Sequence, residues 1–303
     1  MSTSLAVRSR TGSAAALVTA GVLWGTGGLA GALLATHGDL HPLSVATYRL
    51  LLGGVLAVLF LAATGGLRGL VTTSPVVRRV LTAGGLLAMF QACYFAAVAL
   101  TSVSLATMTT IGSVPVFVAL ATTVRERRRP ATPTLVSILA ALVGLVLLTG
   151  SPDGGDDRGT LAAGLLCALA AGAGFATLTM ATRRPVPGLD PLRTTAFGLL
   201  TGGVLLLPLA LWLGMALPLR AEALALAVYL GAVPTALAYA AYFRGLRDAS
   251  PVLAALSALL EPLTAAVLAA ALLGDRLGVG GWCGAALLAG ALALTYRRGS
   301  AER

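Results

Sequence analysis

Residues 41–56 (HPLSVATYRLLLGGVL) and 190–205 (DPLRTTAFGLLTGGVL) are one segment written twice, with eight of sixteen aligned positions identical. The identities are Pro42/Pro191, Leu43/Leu192, Leu50/Leu199, Leu51/Leu200, Gly53/Gly202, Gly54/Gly203, Val55/Val204 and Leu56/Leu205. The flanking charges are opposite: no Arg precedes Arg49 in the loop before the first copy, whereas Arg183 and Arg184 precede the second. The match continues at Pro115 and Pro262, and again where ALVGLVLLT (141–149) aligns with LLAGALALT (287–295), which sets Gly144 on Gly290. Each half then holds five helices, and an odd number turns the second copy upside down in a bilayer. Halves that repeat in sequence and invert in orientation are the pattern of secondary transporters.

A bilayer is required by the composition. The chain is 57% hydrophobic and 11% charged, with a mean hydropathy of +0.92; soluble domains carry roughly 25% charged residues. Apolar stretches of the length a spanning helix needs, about 20 residues, fall at 13–35, 45–64, 80–99, 105–123, 131–149, 160–181, 194–213, 223–243, 252–273 and 279–296. The uncharged run 80–124 is too long for one span and is expected to fold back at Thr101-Ser102-Val103-Ser104. The expected fold is an all-α integral membrane protein of ten transmembrane helices in two inverted five-helix repeats. The first repeat covers 13–149 and the second 160–297, and residues 150–159 form a solvated Gly/Pro/Asp linker loop.

All 21 basic residues are Arg, and their distribution orients the chain. With the N-terminus in the cytoplasm, inner loops and tails hold 17 Arg and outer loops hold only Arg158, Arg220 and Arg276. That asymmetry follows the positive-inside rule, places both termini inside, and accounts for the net charge of +10 without nucleic acid. The apolar run 13–35 is too long for the core of a signal peptide and reads as a retained first helix. The lack of Lys and Asn, with abundant Ala, Gly, Leu and Arg, points to a GC-rich bacterial genome.

Only two charged side chains fall well inside spans, Arg49 in helix 2 and Glu261 in helix 9. A charge at that depth costs about 2.5–3.5 kcal/mol on insertion scales, so it usually meets a partner or water. Arg49 reads either as a binding group or as a snorkelling side chain. Glu261 reads either as a substrate or proton site or as a carboxyl that braces Pro262. Trp24, Thr26, Tyr48, Gln91, Tyr94, Thr235, Tyr239 and Tyr242 complete the candidate substrate-binding set, against a plain anchoring role for the tyrosines. Gln91 is the single carboxamide of the chain. Pro115 and Pro262 are symmetry-related breaks expected to act as hinges or to line a cavity. The pairs Gly21/Gly25, Gly27/Gly31 and Gly280/Gly284 allow close helix approach. Cys93, Cys167 and Cys283 fall in three different spans with no metal or redox spacing, and His37 and His41 flank a loop. No cofactor or metal is therefore expected. No catalytic motif appears, so an enzyme is not expected; a passive channel and a lipid-modifying enzyme stand as alternatives.

These residues, in order over some 280 positions, resemble the drug/metabolite transporter superfamily in its ten-helix EamA-type form. The landmarks are Trp24-Gly25, Pro42 followed by Arg49, Thr101-Ser102 with Pro115, then Tyr242-Phe243-Arg244-Gly245-Leu246, Ala249-Ser250-Pro251, Glu261-Pro262 and Leu273-Gly274-Asp275-Arg276-Leu277. The family has Glu where Asp275 stands; Asp275 and Glu126 read as helix-end features. The resemblance implies a secondary transporter of a bacterial inner membrane that exports small metabolites or amino acids by alternating access; Glu261, as a buried carboxyl, makes protons the candidate coupling ion. It further implies a central cavity formed mainly by helices 1, 3, 4, 6, 8 and 9, with helices 5 and 10 at the periphery.

Overall fold

Proline and capping side chains set where the helices begin. His41 accepts a hydrogen bond from the Leu43 N–H through Nδ1 at 3.1 Å, and Pro42 opens the helix behind it. The second copy repeats the device with Asp190, which accepts from the Arg193 N–H at 2.8 Å ahead of Pro191. Ser250 does the same for Leu253 ahead of Pro251 at 3.1 Å. In each case the side chain satisfies an amide left free in the first turn, and proline has no amide to leave free.

The computed structural model of the chain describes residues 2–101, 103–127, 130–149, 158–268, 270–271 and 278–301. The fold-back residue Ser102, linker residues 150–157 and the segment 273–277 with Asp275 lie outside the described residues. In chain order the helices are α1 (Ser2–Gly38), α2 (Pro42–Ala63), α3 (Ser74–Leu100), α4 (Val103–Glu126) and α5 (Thr132–Thr149). The second half has α6 (Arg158–Thr182), α7 (Pro191–Trp212), α8 (Ala221–Leu246), α9 (Pro251–Leu268) and α10 (Val279–Ala301). Eight are long and apolar enough to cross a membrane, and α5 and α10 carry the shorter apolar helices Thr132–Leu148 and Val279–Thr295. The expected ten all-α spans are present.

Two of the helices are not regular. A π-helical stretch, Ala232–Leu237, interrupts α8 around Pro234, and α9 breaks at Ala258–Leu259, just before Pro262. In both, the proline lacks the N–H that would bond four residues back, and its ring displaces that carbonyl. Pro115 is accommodated inside α4. Among the expected hinge pair, Pro262 therefore sits at a break and Pro115 does not.

The repeated segments pack on each other. A Cβ on Gly54 would lie 2.6 Å from the Leu200 backbone nitrogen, and one on Gly203 would lie 2.9 Å from that of Leu51. Leu51 and Leu200 are equivalents in the repeat, as are Gly54 and Gly203, so α2 and α7 meet about a pseudo-two-fold axis. α5 and α10 meet in the same manner: Gly144 packs on Leu288, and Gly284 packs on Leu148. Gly144, which the repeat aligns with Gly290, thus packs on Gly284. Gly290 is exposed with nothing near it, and Gly284 takes the interfacial place.

Side chains at the seam have no room. Gly54→Val should destabilise the chain by about 1–3 kcal/mol through overpacking, whereas Gly290→Val should change stability by less than about 0.5 kcal/mol. Thermal unfolding of the two purified variants in detergent measures the difference.

Candidate functional site

A cavity of about 390 Å³ lies between the halves, lined by α1, α2, α3, α4, α6, α8 and α9. α2 contributes through Pro42, Val45 and Arg49, which the expected set of cavity helices did not include. α5 and α10 do not line it. Thr36, Pro42, Val98 and Thr107 border it at helix ends, so it runs to the end of the bundle where α1 meets α2. Towards the other end an aromatic cluster seals it. Trp24 lies edge-on to Phe175 and Tyr239, with ring centres 5.8 and 5.2 Å away, and 5.1 Å from Tyr242. Behind these rings the core closes with Leu17, Val114, Val118, Phe243 and Leu246.

Six of the ten expected binding residues line the cavity: Trp24, Arg49, Gln91, Tyr94, Tyr239 and Glu261. The other four do not. Thr26 faces away, donating to the Leu23 carbonyl and accepting from the Tyr229 hydroxyl at 3.0 Å. Tyr48 packs beside a separate cluster around Leu34, Leu40 and Leu230. Tyr242 is wholly buried beneath the aromatic seal, its hydroxyl 2.6 Å from that of Thr179. Thr235 is also wholly buried, and its role is to hold a cavity residue. Neither Pro115 nor Pro262 borders the cavity.

Thr235 explains how a guanidinium is fixed here. Pro234 cannot bond the Leu230 carbonyl, so the Thr235 hydroxyl donates to that oxygen at 2.7 Å. Its lone pair then accepts from Arg49 Nε at 3.2 Å. One hydroxyl thus satisfies the broken helix and orients Arg49 from the opposite half. The terminal guanidinium nitrogens have no hydrogen-bond partner among the described residues and stay available to the cavity.

Glu261 supplies the opposite charge from α9. Among the described residues the sole side-chain ion pair is Arg193–Asp190, so Arg49 and Glu261 border one cavity as separate charges. Two further polar groups on its wall are unsatisfied. Trp24 Nε1 and Gln91 Nε2 are buried without a hydrogen-bond partner, on side chains 5% and 2% exposed. A buried donor left in that state costs about 1–3 kcal/mol. Tyr94, in contrast, is engaged with Thr107 at 2.7 Å.

Phe90, Phe95, Phe175 and Thr107 also line the wall and were not singled out from the sequence. Phe175 had a legible neighbour in the Gly172/Gly174 pair of α6, which brings this helix against α3 and α4: Gly172 fits under the Thr110 carbonyl and Gly174 faces Met89. The phenylalanines as such carry no signal among so many apolar residues.

The model of the EamA-like transporter family matches this chain twice, over residues 12–150 and 162–297. A curated relative, the "Uncharacterized transporter YwfM" of Bacillus subtilis (strain 168), is 30% identical over 272 residues, spanning 90% of this chain and 89% of that protein. A solved crystal structure superposes with a TM-score of 0.78 over 94% of this chain and 97% of its own, at 22% identity, a likeness of fold alone. With two matched repeats and a ten-helix bundle around one cavity, this multi-pass membrane protein belongs to the EamA-like transporter family.

Proposed function

We propose that the chain exports small zwitterionic metabolites, amino acids foremost, across a bacterial inner membrane by alternating access. The observation that carries this reading is the pairing, in one cavity, of two separate opposite charges with two unsatisfied buried donors. An α-amino acid offers a matching group to each. Its carboxylate suits the guanidinium of Arg49 and the N–H groups of Trp24 and Gln91, and its ammonium suits Glu261 and the aromatic walls. The volume is at the small end of the range for ligand pockets, roughly 300–1,000 Å³, and the wall is mostly apolar, which favours a small solute with few charges. A polyanion such as a nucleotide sugar would meet only one Arg, and its tight binding would argue against the assignment.

In this reading the halves 13–149 and 160–297 rock about the α2–α7 seam. With both termini in the cytoplasm, as the Arg distribution favours, the cavity is open to the outside and the aromatic cluster is the closed inner gate. Glu261 is the group through which a proton gradient would drive transport. A passive channel accounts less well for this arrangement, because the path is blocked at one end by a full layer of packed rings.

Uptake and counterflow in proteoliposomes with a panel of labelled amino acids, with and without a pH gradient, test the proposal. Wild-type protein should show saturable counterflow; flux that rises linearly with concentration and is not accelerated by internal substrate would establish a channel instead. Glu261→Gln should lose the drive from the pH gradient, and unchanged drive would return Glu261 to bracing Pro262. Gln91→Leu removes one donor to the bound substrate and should weaken binding by about tenfold, the scale of a hydrogen bond worth roughly 1.4 kcal/mol. Thr235→Val should raise KM for carboxylates by a similar factor while the Ser variant restores it, since Ser keeps both hydrogen bonds of the hydroxyl.

A further inference from the structure

A second concave surface lies at the sealed end of the bundle. Arg183 and Arg184, in the turn after α6, and Arg247, after the last turn of α8, border two adjoining hollows at once. Arg79 of α3 borders the smaller hollow, and Arg125 of α4 borders the larger, which holds about 380 Å³. Five arginines from both halves of the protein therefore border these adjoining hollows. The α6–α7 turn is held in place by proline and by a short backbone pairing of Val186 with Leu189.

Among the described residues no hydrogen bond or ion pair engages any of these five side chains. Among the described residues, Glu126 is the one carboxylate on either lining, against five arginines. The neighbouring Asp248 accepts from the Ser13 hydroxyl at 2.9 Å. Positive-inside sorting explains why arginine occurs at this end. It does not explain why arginines from four separate elements gather on one basin, because like charges repel there unless an anion neutralises them. The guanidinium fork matches a phosphate oxygen pair, and the basin sits at helix ends, where headgroups lie.

We infer that this basin binds the phosphate headgroup of an anionic phospholipid, so that one lipid bridges the two halves across the sealed end. By mass action the bound lipid favours the conformation in which the five arginines are gathered, with the cavity open at its far end. The inference does not depend on what is transported.

The test is binding to the purified full-length chain in a neutral detergent, read by native mass spectrometry and by thermal unfolding. Dioleoylphosphatidylglycerol should be retained as one tight copy and should raise Tm saturably, and dioleoylphosphatidylcholine should do neither. R183Q/R184Q/R247Q should bind phosphatidylglycerol at least about tenfold more weakly, through loss of charge-assisted hydrogen bonds. Arg220→Gln, at the opposite end before α8, should bind as wild type. If the triple variant does not fold, R247Q alone should show a weaker loss in the same direction. Equal stabilisation of wild type and the folded variant, or of wild type by phosphatidylcholine, would overturn the inference. An equal rise in Tm from sodium phosphate without lipid would show a soluble anion to be the ligand, which overturns the lipid assignment.

Discussion

The close approach of α2 and α7 through Gly54 and Gly203 is the contact on which the rest of the arrangement depends. Lipid tails are as apolar as leucine, so helices in a bilayer are not driven together by excluding water; they associate where backbones can come close. Each glycine meets the backbone of the leucine three positions before its own repeat equivalent. The contact is thus made twice by one sequence pattern, and it generates the pseudo-two-fold axis. α5 and α10 repeat the solution away from the cavity with Gly144 and Gly284.

From that seam the site follows by a short chain of contacts. Gly53, next to Gly54, lies against the Gly231 carbonyl and the side chain of Thr235, where a Cβ would come within 2.9 Å of each. The missing side chain lets α2 settle on the irregular stretch of α8, and this brings Arg49 within reach of the Thr235 hydroxyl. Pro234 makes that hydroxyl necessary by stranding the Leu230 carbonyl. A charge that would otherwise be expensive at this depth is therefore held by a hydrogen bond from the other half. The proline, the π-helical stretch, the threonine and the arginine act as one unit.

What the sequence made legible is what the bilayer and the helix ends enforce. The ten spans could be read, and Arg49 and Glu261 singled out as lying inside them, because apolar length and rare intramembrane charges leave local signs. The role of Thr235 could not be read so fully: a threonine beside a proline looks like a pathway residue until the partner across the seam is known. Tyr242 and Tyr239 share one helix face, yet only Tyr239 reaches the cavity, because Trp24 and Phe175 lie over Tyr242. That Gly144 packs on Gly284 and not on its repeat partner Gly290 could not be read, because a repeat alignment gives equivalence and not which residues touch.

The two charges show how the halves share the site. Arg49 belongs to the first half and is oriented by the second. Glu261 belongs to the second half, and its backbone is packed by the first: α1 presents Gly25 to the Glu261 carbonyl, where a Cβ would come within 2.7 Å, and Gly21 to that of Ser257, at 2.5 Å. The glycine face of α1 admits both carbonyls. Each charged residue is therefore held by the opposite half: α1 packs on the backbone of Glu261, and α8 orients Arg49.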